Sequence, residues 1–398
     1  MENTRTILIP RGYLFATAEA AIKRPGRKDI ALIVSALEAT MAGTFTRNRV
    51  KAAPVRLCME RIRTGKGQAI VVNSGNANAC TGHRGLRDAE ATASLLAKAT
   101  GIAARRIYPC STGVIGMPMP MDRVKDALPL LVSGIGKARF EDVAAAIMTT
   151  DTFPKIFSAR IRIGKTTGTI AGVCKGAGMI APNMATMLCF ILTDLAVERR
   201  SLSAALRSSV QKTFNRITID GDMSTNDTVL CMANGAAGNK ELTADSRDFG
   251  AFRKGLDRCT SELARLIVTD GEGATKFVTV RVQGCRKESD AERAALSIAN
   301  SNLVKTAIYG NDANWGRIMA ALGYSGVAFS EETVDVKFNN VLVVRKGISN
   351  NRDSQATAAL RGKELRIVVD LHDGAASADV LTCDFSEDYV RINAEYRT

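Results

Sequence analysis

The chain has 398 residues, 46% hydrophobic and 24% charged, with mean hydropathy near zero and a formal net charge of +14. This is the composition of an ordinary globular protein with enough chain for one large core or two lobes. Its apolar runs, such as Ala69 to Val72 and Leu188 to Leu192, are strand-sized and fall far short of the ~18 residues that span a bilayer. The basic residues come in ones and twos, aromatics are only 5% and no zinc-finger or RNA-binding signature occurs, so the charge reads as a field for anionic small molecules rather than a nucleic-acid surface.

In chain order, Asp29 to Val34 and Gln68 to Asn73, rich in Ile and Val, predict buried strands. The apolar spacing of Arg87 to Thr100 predicts a helix, and Arg106 to Tyr108 a strand running into a turn at Cys110-Ser111-Thr112-Gly113. Helices are expected at Asp122 to Leu128, halted by Pro129, and at Phe140 to Met148. After Pro154, alternation in Phe157 to Ile163 and Thr169 to Val173 predicts a hairpin. Met187 to Asp194 reads as an apolar strand, followed by a helix at Leu202 to Phe214, a polar loop at Asp220 to Asp227 and a strand at Thr228 to Met232. A long amphipathic helix at Arg247 to Val268, a strand at Lys276 to Val282, and helices at Ala291 to Ile308 and Asn314 to Leu322 come next. Val334 to Val344 predicts a hairpin turning at Asn339-Asn340, where asparagine tolerates positive φ. Strands at Glu364 to Leu371 and Ala378 to Asp384 complete the pattern, and the last dozen residues read as polar and irregular. The fold class is α/β (α+β).

Several chemistries lack material. The nine cysteines are scattered singly with no CxxC pair, which argues against disulfide frameworks and zinc sites and for reduced thiols, mostly buried. Only His83 and His372 occur, so histidine triads and His-based metal sites have almost nothing to draw on, and a catalytic base must come from elsewhere. No metal or other cofactor is expected. No GxGxxG follows a strand, Gly164-Lys165-Thr166 has Ala159 where a phosphate-binding loop needs its first glycine, and there is no GxSxG elbow. The N-terminal Met-Glu-Asn-Thr-Arg-Thr has neither an apolar signal core nor an Arg-rich presequence, so the expected location is the cytoplasm, with no membrane contact.

Three stretches are unusually rich in Gly, Asn, Ser and Thr: Asn73 to Gly82, Lys175 to Thr186 and Asp220 to Thr228. Each adjoins a strand, where α/β proteins place ligand loops, although each is equally readable as a tight turn whose side chains cap backbone groups. The Lys175 to Thr186 stretch has the clearest chemical logic: two glycines, a lysine suited to an anion, and a threonine between Ala185 and an apolar strand. A threonine hydroxyl needs an adjacent base. If the chain were cut before Thr186, its own α-amine, with an ordinary pKa of ~7.7–8.0, would be one. Spacing by itself leaves Thr186 as a residue of the following core strand.

The run Lys175-Gly-Ala-Gly-Met-Ile-Ala-Pro-Asn-Met-Ala-Thr-Met-Leu188 resembles the self-processing segment of the ornithine acetyltransferase (glutamate N-acetyltransferase) family. Further blocks match in order along the chain: Arg47 to Val55, Asn73 to Gly82, Ser111 to Gly116, Met148 to Thr152, Asp220 to Thr228, Gly310 to Arg317 and Tyr389 to Tyr396. The stretch Tyr13 to Ala18 is less glycine-rich than the family pattern. The resemblance implies a self-processing N-terminal-threonine acyltransferase fold with layered sheets and helices. It implies cleavage between Ala185 and Thr186 into an alpha chain (1–185) and a beta chain (186–398) that fold together, assembled as a heterotetramer with two copies of each. The implied activity moves the acetyl group of N2-acetylornithine to glutamate through an acetyl-Thr186 ester in arginine biosynthesis, with acetyl-CoA an open possibility as a second donor. Thr112 and Gly113 match the family's oxyanion hole. Lys175, Glu272, Asn393 and Thr398 match substrate contacts, and Thr149 is the choice from the Thr149-Thr150 pair. One physical tension follows: a single pocket must take a cationic ornithine tail and an anionic glutamate tail. The alternatives carried alongside are an N-terminal-threonine amidase or aminopeptidase of a related fold, and a non-enzymatic binding protein that stays uncut.

Overall fold

A computed structural model describes residues 6–181 and 187–395. Eight strands form one sheet: β1 (Tyr13–Ala18), β2 (Ile30–Phe45), β3 (Lys66–Asn73), β4 (Ile107–Ser111), β5 (Lys155–Ile163), β6 (Thr166–Lys175), β7 (Leu188–Thr193) and β8 (Thr228–Ala233). Their order is β4-β3-β2-β8-β7-β6-β5, with β1 also on β2. The second sheet, β12-β11-β10-β13-β9-β14, is built from β9 (Phe277–Cys285), β10 (Asp335–Phe338), β11 (Val341–Arg345), β12 (Ile348–Ser349), β13 (Glu364–Asp370) and β14 (Ala376–Cys383).

β2 is the spine of the larger sheet. Its first half lies between β1 and β3, and its second half pairs with β8, the register shifting between Val34 and Ala39. Period-two alternation then decides which core each residue enters. Ile33, Ile70 and Val72 point into the same core as Val173, Phe190 and Leu230 of the other half-sheet, together with the helix Phe140–Ile147. The opposite faces carry helices. Leu32, Val34, Ala69 and Val71 meet Gly82–Thr100 and Met121–Ser133, while Ile170, Cys189, Ile191 and Cys231 meet Arg199–Lys212 and Phe249–Thr269. With both faces buried, these strands are continuously apolar, as their sequences are. The smaller sheet packs on Glu288–Ala299 and Trp315–Gly323 around Val280, Val336 and Ile367. The architecture is α/β. No helix among the described residues is long and apolar enough to cross a membrane.

Three expectations need correction. The run read as one helix from Ala291 to Ile308 is two, Glu288–Ala299 and Asn302–Tyr309, because Ser301 adopts an extended backbone and accepts the Val304 amide as an N-cap. The helix expected to stop at Pro129 continues to Ser133; Pro129 lies on its exposed side, and continuing buries Leu131. The C-terminal stretch read as irregular contains the helix Glu387–Glu395. β1 and the helix Ala53–Arg61, which begins at a proline-compatible first turn, were not anticipated as elements. The hairpin at Asn339 forms as expected, with φ +50° at that residue.

Candidate active site

The register of the larger sheet brings the unusual loops to one edge. Lys175, at the end of β6, pairs with Leu188 at the start of β7, and Leu188 pairs with Thr228 at the start of β8. Residues 176–181, which follow β6, and 220–227, which precede β8, therefore lie at the same edge of the sheet. Asn226 ties a third stretch to them, its side-chain amide donating to the carbonyls of Ala77 and Ser111, each at 2.7 Å. Between them lies a cavity of about 110 Å³ lined by Thr112, Gly113, Thr149, Thr150, Lys175, Met179, Asp220, Asp222, Glu272, Tyr389 and Asn393, among others.

The Lys175 ammonium is 2% exposed and stands 4.0 Å from the Asp151 carboxylate. Asp151 is also held by Lys155 at 2.7 Å and by the amides of Gly176 (2.6 Å) and Thr149 (3.0 Å). Lys155 in turn contacts Asp270, which accepts the Thr152 amide. Burial works against the Asp151 carboxylate, but Lys175 and Lys155 outweigh it and hold its pKa at about 2. Burial likewise opposes the Lys155 ammonium, and its two carboxylates outweigh it and raise its pKa. For Lys175 burial wins over Asp151 and the pKa is lowered. A buried cation whose ion-paired carboxylate stands 4.0 Å away, and which faces a cavity, is suited to an anionic group.

The other wall of the cavity is acidic. Burial raises the Asp220 pKa to about 6, although its carboxylate accepts the amides of Met179, Ile180 and Asp222 and faces the Tyr389 hydroxyl at 3.3 Å. Glu272 accepts the Asn393 side-chain amide at 2.8 Å, so the C-terminal helix folds back to the cavity. With Asp220, Asp222 and Glu272 all lining it, this wall favours cationic groups.

Gly113 has φ +129°, and a Cβ there would lie 2.6 Å from the carbonyl carbon of Gly75. Only glycine fits, and its backbone can approach a ligand closely. The Thr112 amide is committed to the Asn73 carbonyl at 2.9 Å, which leaves the hydroxyl as the donor of that residue. The Asn-rich stretch 73–82 has mostly a supporting role: Asn73 binds Ser111 and the amides of Gly75 and Asn76, and Asn76 holds the carbonyls of Met117 and Pro118. Of its ten residues only Ala77 lines the cavity.

Of the residues singled out by sequence, Thr112, Gly113, Thr149, Lys175, Glu272 and Asn393 therefore meet at one cavity, and Thr150 lines it as well as Thr149. Ala185, Thr186 and Thr398 lie outside the described residues. The nearest described neighbour of the expected cut is Met187, whose amide donates to Asp227 at 3.0 Å. Asp227 is wholly buried, and burial pushes its carboxyl well above the usual range against that hydrogen bond and the nearby Lys175. Sequence reasoning did not single out Asp151, Lys155, Asp270 or Tyr389. Asp151 and Tyr389 fall inside blocks that resemble the family, the one signal that pointed at them.

The fold and cavity define an α/β enzyme for a small, charged substrate. A family model described as the ArgJ family matches residues 14–398, and the chain belongs to that family. It is 53% identical over 390 residues to the arginine biosynthesis bifunctional protein ArgJ of Geobacter sulfurreducens, covering 98% of this chain and 99% of that protein. The ArgJ protein of Caldanaerobacter subterraneus is 47% identical over 397 residues, 98% of each. The crystal structure of the Bacillus halodurans ArgJ protein is 43% identical with a TM-score of 0.51, covering 52% of this chain and 98% of that chain.

Proposed function

We propose that the chain cuts itself between Ala185 and Thr186 and then, as an ornithine acetyltransferase, carries the acetyl group of N2-acetylornithine to glutamate on Thr186. The observation that carries this reading is the convergence of Thr112, Gly113, Thr149, Lys175, Glu272 and Asn393, from five separate stretches, on one cavity beside the start of β7. The half-length match to the Bacillus halodurans chain supports the cut, since residues 186–398 make up slightly more than half of this sequence.

On this reading the substrate α-carboxylate pairs with Lys175, and the ornithine ammonium lies towards Glu272. The Thr186 hydroxyl attacks the acetyl carbonyl while the Thr186 α-amine takes its proton. The oxyanion is met by the Thr112 hydroxyl and the Gly113 amide, each such donor being worth about 3 kcal/mol in the transition state. The carbon–nitrogen bond breaks, the departing amine takes the proton, and ornithine leaves. The glutamate amine then attacks the ester, its proton returning to the threonine oxygen. Asn393 steadies Glu272, and Thr149 or Thr150 contacts the substrate together with Thr398. Residues 1–185 and 186–398 form two chains of one folded unit, assembled as a heterotetramer with two copies of each in the cytoplasm. The name bifunctional on the relatives fits acetyl-CoA as a second donor to the same threonine.

Intact mass measurement with N-terminal sequencing tests the cut: a fragment beginning at Thr186 is expected, and Thr186→Ala is expected to remain one chain without acetyl transfer. A purified wild-type protein found only as an uncut chain would overturn the reading, as would release of acetate in place of N-acetylglutamate.

A further inference from the structure

A second hollow of about 270 Å³ adjoins the cavity and shares Thr149 and Thr150 with it. Lys23, Arg24 and Arg27 line it. The carboxylate in its wall, Asp29, is buried and committed to backbone, accepting the amides of Ala20 at 2.7 Å and Ile22 at 2.6 Å. That clasp fixes the turn that carries the cations. Arg27 is oriented as well, one amino group donating to Ser74 Oγ at 3.0 Å and to the Met148 carbonyl at 2.5 Å. A guanidinium has five donors in a rigid fork, so these two contacts set its plane and leave others for a ligand.

The basic turn rests on the backbone of the site. A Cβ on Gly75 would come within 2.7 Å of Ile22 and 2.9 Å of the Lys23 amide nitrogen, and Gly75 is itself in backbone contact with Gly113. Gly75 thus lies between the basic turn and Gly113, and the two hollows meet at Thr149 and Thr150, which line both. The far wall of the cavity, with Asp220, Asp222 and Glu272, has the opposite sign. Donor and acceptor amino acids share an α-carboxylate and an α-nitrogen, so both can anchor at Lys175. Their tails differ in charge, and the acidic wall of the cavity and the basic hollow beside it differ in the same way.

We infer that the Lys23–Arg24–Arg27 hollow is the subsite for the side-chain carboxylate of the acceptor, the cationic tail of the donor lying at the acidic end. This rests on the transfer reading above. The carboxylate only orients the acceptor. The covalent step is unchanged: the acceptor amine forms a bond to the acetyl carbon, the ester carbon–oxygen bond breaks, and the proton returns to the threonine oxygen.

The test compares glutamate with glutamine, which has the same shape and a neutral tail, as acceptors from N2-acetylornithine. Arg24 is exposed, and Arg24→Glu is expected to lower the glutamate-to-glutamine ratio of kcat/KM by about tenfold or more, the equivalent of one charge-assisted contact. Lys23→Ser, the second variant, is expected to lower it less. Raising ionic strength is expected to narrow the wild-type preference. Ornithine released before acceptor is added counts the folded, active sites in each preparation. An unchanged ratio in both variants overturns the inference. So does a loss seen only in the KM of acetyl-CoA, which would assign the hollow to a donor phosphate. Wild-type protein that releases no ornithine at all overturns the transfer reading itself, a result distinct from either.

Discussion

At Asp151 two lysines share one buried carboxylate, and the sharing is unequal. Lys155 makes the close contact and has Asp270 as well, while Lys175 is left 4.0 Å away, facing the cavity. Asp151→Asn would leave two buried cations with one carboxylate in contact, and removing a partner from a buried pair costs about 3–5 kcal/mol. The sign of its pH dependence follows from the depressed pKa. The contribution is fully present above the ordinary value of 3.8 and is lost as pH falls through about 2. Denaturant unfolding should therefore show the variant destabilised at pH 7, with the gap to wild type shrinking between about pH 4 and pH 2. Lys175 was legible as a candidate for binding an anion because it opens a Gly-rich loop. Asp151 and Asp270 were not, since their meaning depends on neighbours that only the fold brings together.

The elements follow the same division. Strands β3, β7 and β8 were legible because burial on both faces makes them nearly continuous apolar runs, and β6 through its alternation in a hairpin. The break at Ser301 was hidden because Ala291, Ala295, Ile298 and Ile308 maintain helical apolar spacing across it, both helices facing the same core. The break depends on the Ser301 side chain capping the second helix, so Ser301→Ala is expected to lower stability by about 1 kcal/mol, read as a shift in the urea midpoint with an unchanged m-value. The C-terminal helix was missed for the opposite reason. It has no buried residue among those described, so no apolar stripe announces it; it meets the rest of the chain through Tyr389 to Asp220, Asn393 to Glu272 and the Tyr389 ring on Phe385.

For the molecule as a whole, the proposed cut falls between β6 and β7, which are hydrogen-bonded neighbours. β8, from the second fragment, pairs with β2 from the first, and the core around Phe190 and Ile33 draws on both. Separating the fragments would expose strand edges and core together. The two fragments are therefore expected to run as one species in gel filtration without denaturant and to separate only once the fold is lost in urea. Independent elution under native conditions would sink this expectation. A cut at this place makes a new amine without dispersing the residues around it.

Resemblance to a family supplied the short list of residues from Thr112 to Asn393, while the sequence by itself determined the α/β class, most of the interior strands and the poverty in histidine that turns attention to another base. These are properties of local pattern and residue type, which survive in one dimension. The tertiary structure alone decided that β2 joins two half-sheets, that Lys155 and Asp270 complete the charge row behind Lys175, and that a basic turn at residues 23–27 opens onto Thr149 and Thr150. Each depends on long-range pairing, and a charge acquires its role from the distance and burial of partners far away in the chain.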